Sequence, residues 1–146
     1  MTRTVFTALA LAAMPIAACS QAVESTVEAD AEIAQSTPVA AVLVFAEWCP
    51  SCKVLDPKVE AARTMLEDDA ASFVVLDYTD RDADAFFAQA DAAGVGGPLR
   101  ALFADGVRTG QLLLIDMGDL SVVEQVTREA SAEQIRDQIL ASSGQG

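Results

Sequence analysis

The sequence predicts one α/β domain, a mixed central sheet of about four strands with helices packed on its faces. Three observations point to it. Short apolar runs of strand length recur at 39–46 ("VAAVLVFA"), 72–78 ("SFVVLDY") and 111–117 ("QLLLIDM"). Between them, apolar residues step by three and four, the period of a helix with one buried face. The chain has 146 residues and is 52% apolar, enough for one packed core and a leader.

Residues 1–18 read as a secretion signal outside the domain. Arg3 and the amino terminus give a cationic start, Val5–Ala18 is apolar, and small residues precede Cys19. That apolar stretch falls short of the ~20 residues of a membrane-spanning helix. The ending Ile16-Ala17-Ala18-Cys19 resembles the lipobox of bacterial lipoproteins, which implies cleavage before Cys19 and lipidation of its thiol and new amino group. Three cysteines in an exported chain leave one odd thiol, and lipidation of Cys19 would remove it. Residues 19–37 are polar and acidic and read as a tether, with a thin first helix as the competing reading.

The domain is expected over 38–141. Its first strand, 39–46, is nearly all apolar and suits a central strand covered on both faces. From Pro50, Leu55, Val59, Ala62 and Leu66 mark a helix. Residues 72–78 read as a second buried strand, and 82–94 as a helix with acids at its start and Gly94 past its end. After the strand at 111–117 and the turn at 118–120, residues 121–129 alternate like an edge strand. Ser131 and Gln134 form a capping box for a last helix with Ile135 and Ile139 inward. Residues 142–146 read as a mobile tail. Strands joined through helices are expected parallel, and the short turn makes the last pair antiparallel.

The chemistry lies in "FAEWCPSCKVLDP", 45–57. Cys49 falls where the first strand ends and the first helix begins. Unpaired backbone N–H groups and the helix dipole favour negative charge there, so a thiolate can form without a histidine, of which the chain has none. Cys52 lies one turn further in, less exposed and placed to attack a mixed disulfide at Cys49. Two other readings compete. A structural disulfide closing so short a loop contributes only about 2 kcal/mol. Zinc wants four ligands, and the domain offers two thiolates and no imidazole. No cofactor is expected.

"AEWCPSCK" resembles the active-site segment of thioredoxin-like proteins, with a tryptophan before C-x-x-C and a lysine after it. The resemblance runs from about Val39 to Leu140, includes the element order, and includes Pro57, where that family kinks its active-site helix. "WCPSCKVLDP" followed by "LDYTD" is most similar to the periplasmic thioredoxin-like domain of membrane disulfide-reductant transporters. It implies a thiol–disulfide oxidoreductase with Cys49 as nucleophile and Cys52 as resolving thiol. Trp48, Pro50, Gly110 and Gln111 would border the substrate site, protein disulfides would be the substrates, and a membrane electron-transfer partner would supply electrons. Three departures stand out. Leu43 occupies the place of the family's buried aspartate; Asp56, on the Cys52 face of the helix, or Glu47 is the candidate substitute. The family's cis-proline has two candidate positions. Either Pro98 fills it with Leu99–Phe103 as strand, or Gln111 fills it after Gly110, leaving 97–106 as an inserted short helix with Pro98 first. The family's first strand is not visible.

Acidic residues number 22 against 9 Lys plus Arg, a net charge of −13. Such a surface repels phosphate backbones, so nucleic-acid binding is disfavoured. The residues thus point to a membrane-anchored extracytoplasmic oxidoreductase. The alternative is a non-catalytic binding or redox-sensing lipoprotein of the same fold.

Overall fold

A computed structural model describes residues 37–144. The expected secretion signal, the expected lipidation site Cys19 and the expected tether up to Ser36 lie outside the described residues. Strand β1 (Val39–Phe45) leads into helix α1 (Pro50–Arg63), then strand β2 (Ser72–Asp77) and helices α2 (Ala83–Ala92) and α3 (Gly96–Leu102). Strands β3 (Gln111–Asp116) and β4 (Ser121–Thr127) follow, and helix α4 (Ala132–Ser142) ends the domain, one residue past the expected boundary. Among the described residues no helix is long and apolar enough to cross a membrane.

The four strands lie in the order β2-β1-β3-β4. Val39, Ala41 and Leu43 face Leu55, Val59 and Ala62 of α1 and Ile135 and Ile139 of α4. Ala40, Val42 and Val44 face Phe86 and Ala90 of α2, Leu99 of α3 and Phe103. Helices on both faces explain why β1 carries no polar alternation. The Ser131–Gln134 capping box forms as the sequence predicts and starts α4 where Ile135 and Ile139 turn inward.

Three expectations are corrected. First, β3 is antiparallel to β1, while β2 is parallel to it. One helix between strands returns the chain to its starting end, but two helices run out and back. Helix α2 descends from the C-terminal end of β2, and Gly94 (φ +76°) ends it near Met117, at the far end of β3. Helix α3 climbs back, so β3 must start beside the end of β1. This also decides between the two placements of Pro98. Residues 99–102 are helical rather than strand, and Pro98 is the third residue of α3 rather than the first. Second, β2 is an edge strand. It pairs on one side only, and Val75 is 56% exposed. Third, α1 ends at Arg63, so Leu66 packs on the core from the following turn rather than from the helix. A two-against-one irregularity at Leu114/Ile115 interrupts the pairing of β3 with β4, the other edge.

Several surface carboxylates sit below their ordinary pKa. The Arg100 guanidinium holds Asp91 down. The Ser121 hydroxyl lowers Asp119. Glu129, bonded by the Thr127 hydroxyl and then by Arg128, falls from 4.5 to about 2. A carboxylate whose folded pKa is depressed adds stability above its unfolded pKa and loses it as pH falls through the folded value. Resistance to urea should therefore hold from neutral pH to about 4.5 and decline towards pH 2, read in roughly 0.5 M salt to screen the net negative charge. A midpoint that stays flat to pH 2 would contradict these pairings.

Candidate active site

Cys49 is the N-cap of α1, with extended backbone (φ −90°, ψ 109°) and Pro50 as the first helical residue. Proline suits that position because its missing N–H would have no partner there and its φ is preset. The Cys49 Sγ accepts the backbone N–H of Cys52 at 3.2 Å. A serine or aspartate oxygen usually makes this bond; here sulfur does. Cys49 and Cys52 are joined as a disulfide with their Cα atoms 5.3 Å apart. Cys49 keeps 5% of its surface exposed and Cys52 none, the order expected of an attacking and a resolving thiol. The Cys52 Sγ lies 3.6 Å from the Val44 carbonyl oxygen, which can accept its S–H in the reduced form.

That carbonyl also accepts the N–H of Gly110 at 2.9 Å, bringing the entry to β3 against the disulfide. Gly110 has φ +82°, and a Cβ there would lie 2.8 Å from Ser51 Cβ and 3.3 Å from Cys49 Sγ. Both the backbone conformation and the contact demand glycine. Gln111 starts β3 opposite Val44, and its side-chain amide donates to the Arg108 carbonyl at 2.9 Å. It is therefore Gly110, one residue earlier, that packs on the cysteines. No cis peptide bond occurs among the described residues.

Trp48 is 43% exposed at the rim. Its indole N–H donates to the Thr79 carbonyl at 2.9 Å, and the Glu47 backbone N–H donates to the Thr79 hydroxyl at 3.0 Å. Asp77 holds Thr79 in turn, accepting from its N–H and its hydroxyl. Glu47 itself is exposed, and Asp56 is half-buried one turn beyond Cys52. No hydrogen bond joins either carboxylate to a cysteine among the described residues; the sulfur of Cys52 is against Val44 instead. Leu43 is buried in the core beneath, so no charged group replaces the family's aspartate at that position.

Sequence reasoning missed three neighbours. Thr79 anchors the tryptophan loop. Arg81 lays its guanidinium over the Trp48 ring, 4.3 Å from the centroid. Arg128 reaches the Ser51 hydroxyl at 3.4 Å, and Lys58 on α1 fixes the turn behind it through the carbonyls of Arg128 and Ala130. Thr79 lies within the "LDYTD" segment that carries part of the resemblance, a signal that could have been used. Arg128 is 77 residues from Ser51, and no local pattern marks it.

The arrangement suits thiol–disulfide exchange. One sulfur keeps a sliver of surface at a helix N-terminus, a second is buried behind it, and Gly110 at the entry to β3 packs alongside. Solved structures to which the chain is similar include a mutant thioredoxin from Halobacterium salinarum NRC-1, 23% identical, covering 77% of this chain and 80% of that one with a TM-score of 0.49. A disulphide isomerase from Xylella fastidiosa Temecula1 is 18% identical, covering 88% of this chain and 96% of that one with a TM-score of 0.48. A comparison with curated proteins finds no match. The thioredoxin family profile matches residues 21–95, half of the sequence and the whole C-x-x-C segment. The chain therefore belongs to the thioredoxin family.

Proposed function

We propose that the protein is a thiol–disulfide oxidoreductase, lipid-anchored through Cys19 on the extracytoplasmic face of a bacterial membrane, that reduces protein disulfides. The observation that carries the chemistry is the Cys52 N–H aimed at the Cys49 sulfur. A donor in that place stabilises a thiolate more than a thiol.

In the reduced protein the Cys49 thiolate attacks one sulfur of a substrate disulfide. A new S–S bond forms, the substrate bond breaks, and the departing substrate thiolate takes a proton. Cys52 then loses its proton and attacks the Cys49 Sγ, expelling the second substrate thiolate. Two electrons have passed from the dithiol to the substrate, and the protein is left with the Cys49–Cys52 disulfide seen in the structure. Asp56, half-buried on the Cys52 side of α1, is the candidate acceptor of the Cys52 proton. A dithiol of a membrane electron-transfer partner would restore the reduced form.

The location rests on the sequence of residues 1–19. One experiment tests chemistry and anchoring together. Cys52→Ser, expressed with its leader, should accumulate disulfide-linked adducts through Cys49 in the membrane fraction. Adding Cys19→Ala should move those adducts to the soluble fraction. A chain that forms no adducts is a binding module of this fold. Adducts that stay membrane-bound without Cys19 would remove the anchor.

A further inference from the structure

Although the chain carries a net charge of −13, two arginines, Arg81 and Arg128, stand among carboxylates at the edges of the disulfide. Arg81 follows β2 and Arg128 follows β4, at the same end of the sheet and on opposite sides of Cys49. Arg81 stacks on Trp48, whose neighbour in sequence is Cys49. Arg128 reaches Ser51, two residues past Cys49 and the side chain that Gly110 packs on.

Of the other described arginines, Arg63, Arg100 and Arg136 each have a carboxylate partner, while Arg108, in the loop before β3, has none within ion-pair distance. Arg128 shares Glu129 through its Nε, while its Nη1 points to Ser51. Among the described residues Arg81 has no carboxylate within ion-pair distance. Stacking uses the face of a guanidinium and leaves its edge, a planar fork of N–H donors, free for a carboxylate. Arg81 has φ +59°, a left-handed conformation that a non-glycine residue rarely adopts and that persists only where its surroundings enforce it. The neighbouring acids Glu47, Asp77, Asp80 and Asp82 keep their charge but make no ion pair with Arg81. Asp77 is turned to Thr79, and Glu47 and Asp80 are exposed without a bond to Arg81.

We propose that Arg81 and Arg128 select polypeptide disulfides flanked by carboxylates on both sides. This deepens the oxidoreductase reading above and rests on it. The span favours a peptide over a small disulfide. Three inter-strand steps separate the two edges, roughly 14 Å, about four residues of extended chain. The whole-molecule charge makes the opposite demand, since long-range repulsion favours basic substrates. The two can therefore be separated by experiment.

Three cyclic disulfide peptides, alike except for two Glu, two Gln or two Lys beside the cysteines, are reduced by the full chain and kcat/KM is measured. The Glu peptide should lead the Lys peptide by roughly tenfold at about 0.15 M salt, where the long-range repulsion is largely screened and the close contacts remain, mostly through KM. Arg81→Gln and Arg128→Gln should each cut that ratio about threefold. Arg136→Gln, on α4 and paired to Asp137, should leave it unchanged. Equal rates, a faster Lys peptide, or an undiminished ratio in Arg81→Gln overturns the selection while the oxidoreductase stands. If none of the three peptides is reduced, the Gln peptide included, the oxidoreductase reading fails and takes the selection with it.

Discussion

Replacing Cys49 with serine should abolish disulfide reduction, a loss of at least about 10³-fold, because a hydroxyl neither ionises near neutral pH nor exchanges with sulfur. The physical basis can be tested without turnover. In the reduced wild type, the Cys49 thiol should ionise below the ~8.5 of an isolated cysteine, followed by the ultraviolet absorbance of the thiolate. Cys49 has only a sliver of surface, and burial alone would push its pKa up. The N–H of Cys52 at 3.2 Å, together with the helix terminus, works the other way. A direct donor to the sulfur outweighs partial desolvation, since a hydrogen bond to an ionised group is roughly twice as strong as a neutral one. Ionisation at or above the isolated value would show that burial wins, and the proposed mechanism would lose its nucleophile.

Gly110→Ala should damage the same site from the opposite side. At φ +82° an alanine is strained by about 1–2 kcal/mol. Its Cβ would also lie 2.8 Å from Ser51 Cβ and 3.3 Å from Cys49 Sγ. Ser51 belongs to the first turn of α1, so relief means shifting the turn that carries the cysteines. A loss of about 1–3 kcal/mol in stability and at least tenfold in rate is expected. Gly97→Ala is the control. It lies in α3, where an added Cβ meets nothing within 4 Å beyond its chain neighbours; helix propensity favours the change and the following Pro98 opposes it, so stability should move by less than about 1 kcal/mol and the rate should hold. If the two variants behave alike, the close approach of Gly110 to the disulfide has no functional weight.

The sequence by itself determined whatever rests on neighbours within a few turns. The apolar run of β1, the stripe of α1, the Ser131–Gln134 box and the placing of Cys49 at a strand-to-helix junction are local facts. The family resemblance in the C-x-x-C segment belongs with them. Only the tertiary structure decided the direction of β3, because one helix or two between strands reverses it, and the sequence left a short second helix at 97–106 as one of two readings of that stretch. It also made β2 an edge strand, which its apolar composition disguises, since a strand's position in a sheet depends on what pairs beside it. The rim of the disulfide was decided in the same way. Thr79, Arg81 and Arg128 reach Trp48 and Ser51 from 31 to 77 residues away along the chain. Contacts at that separation come from the order of strands, and no period or spacing along the chain records them.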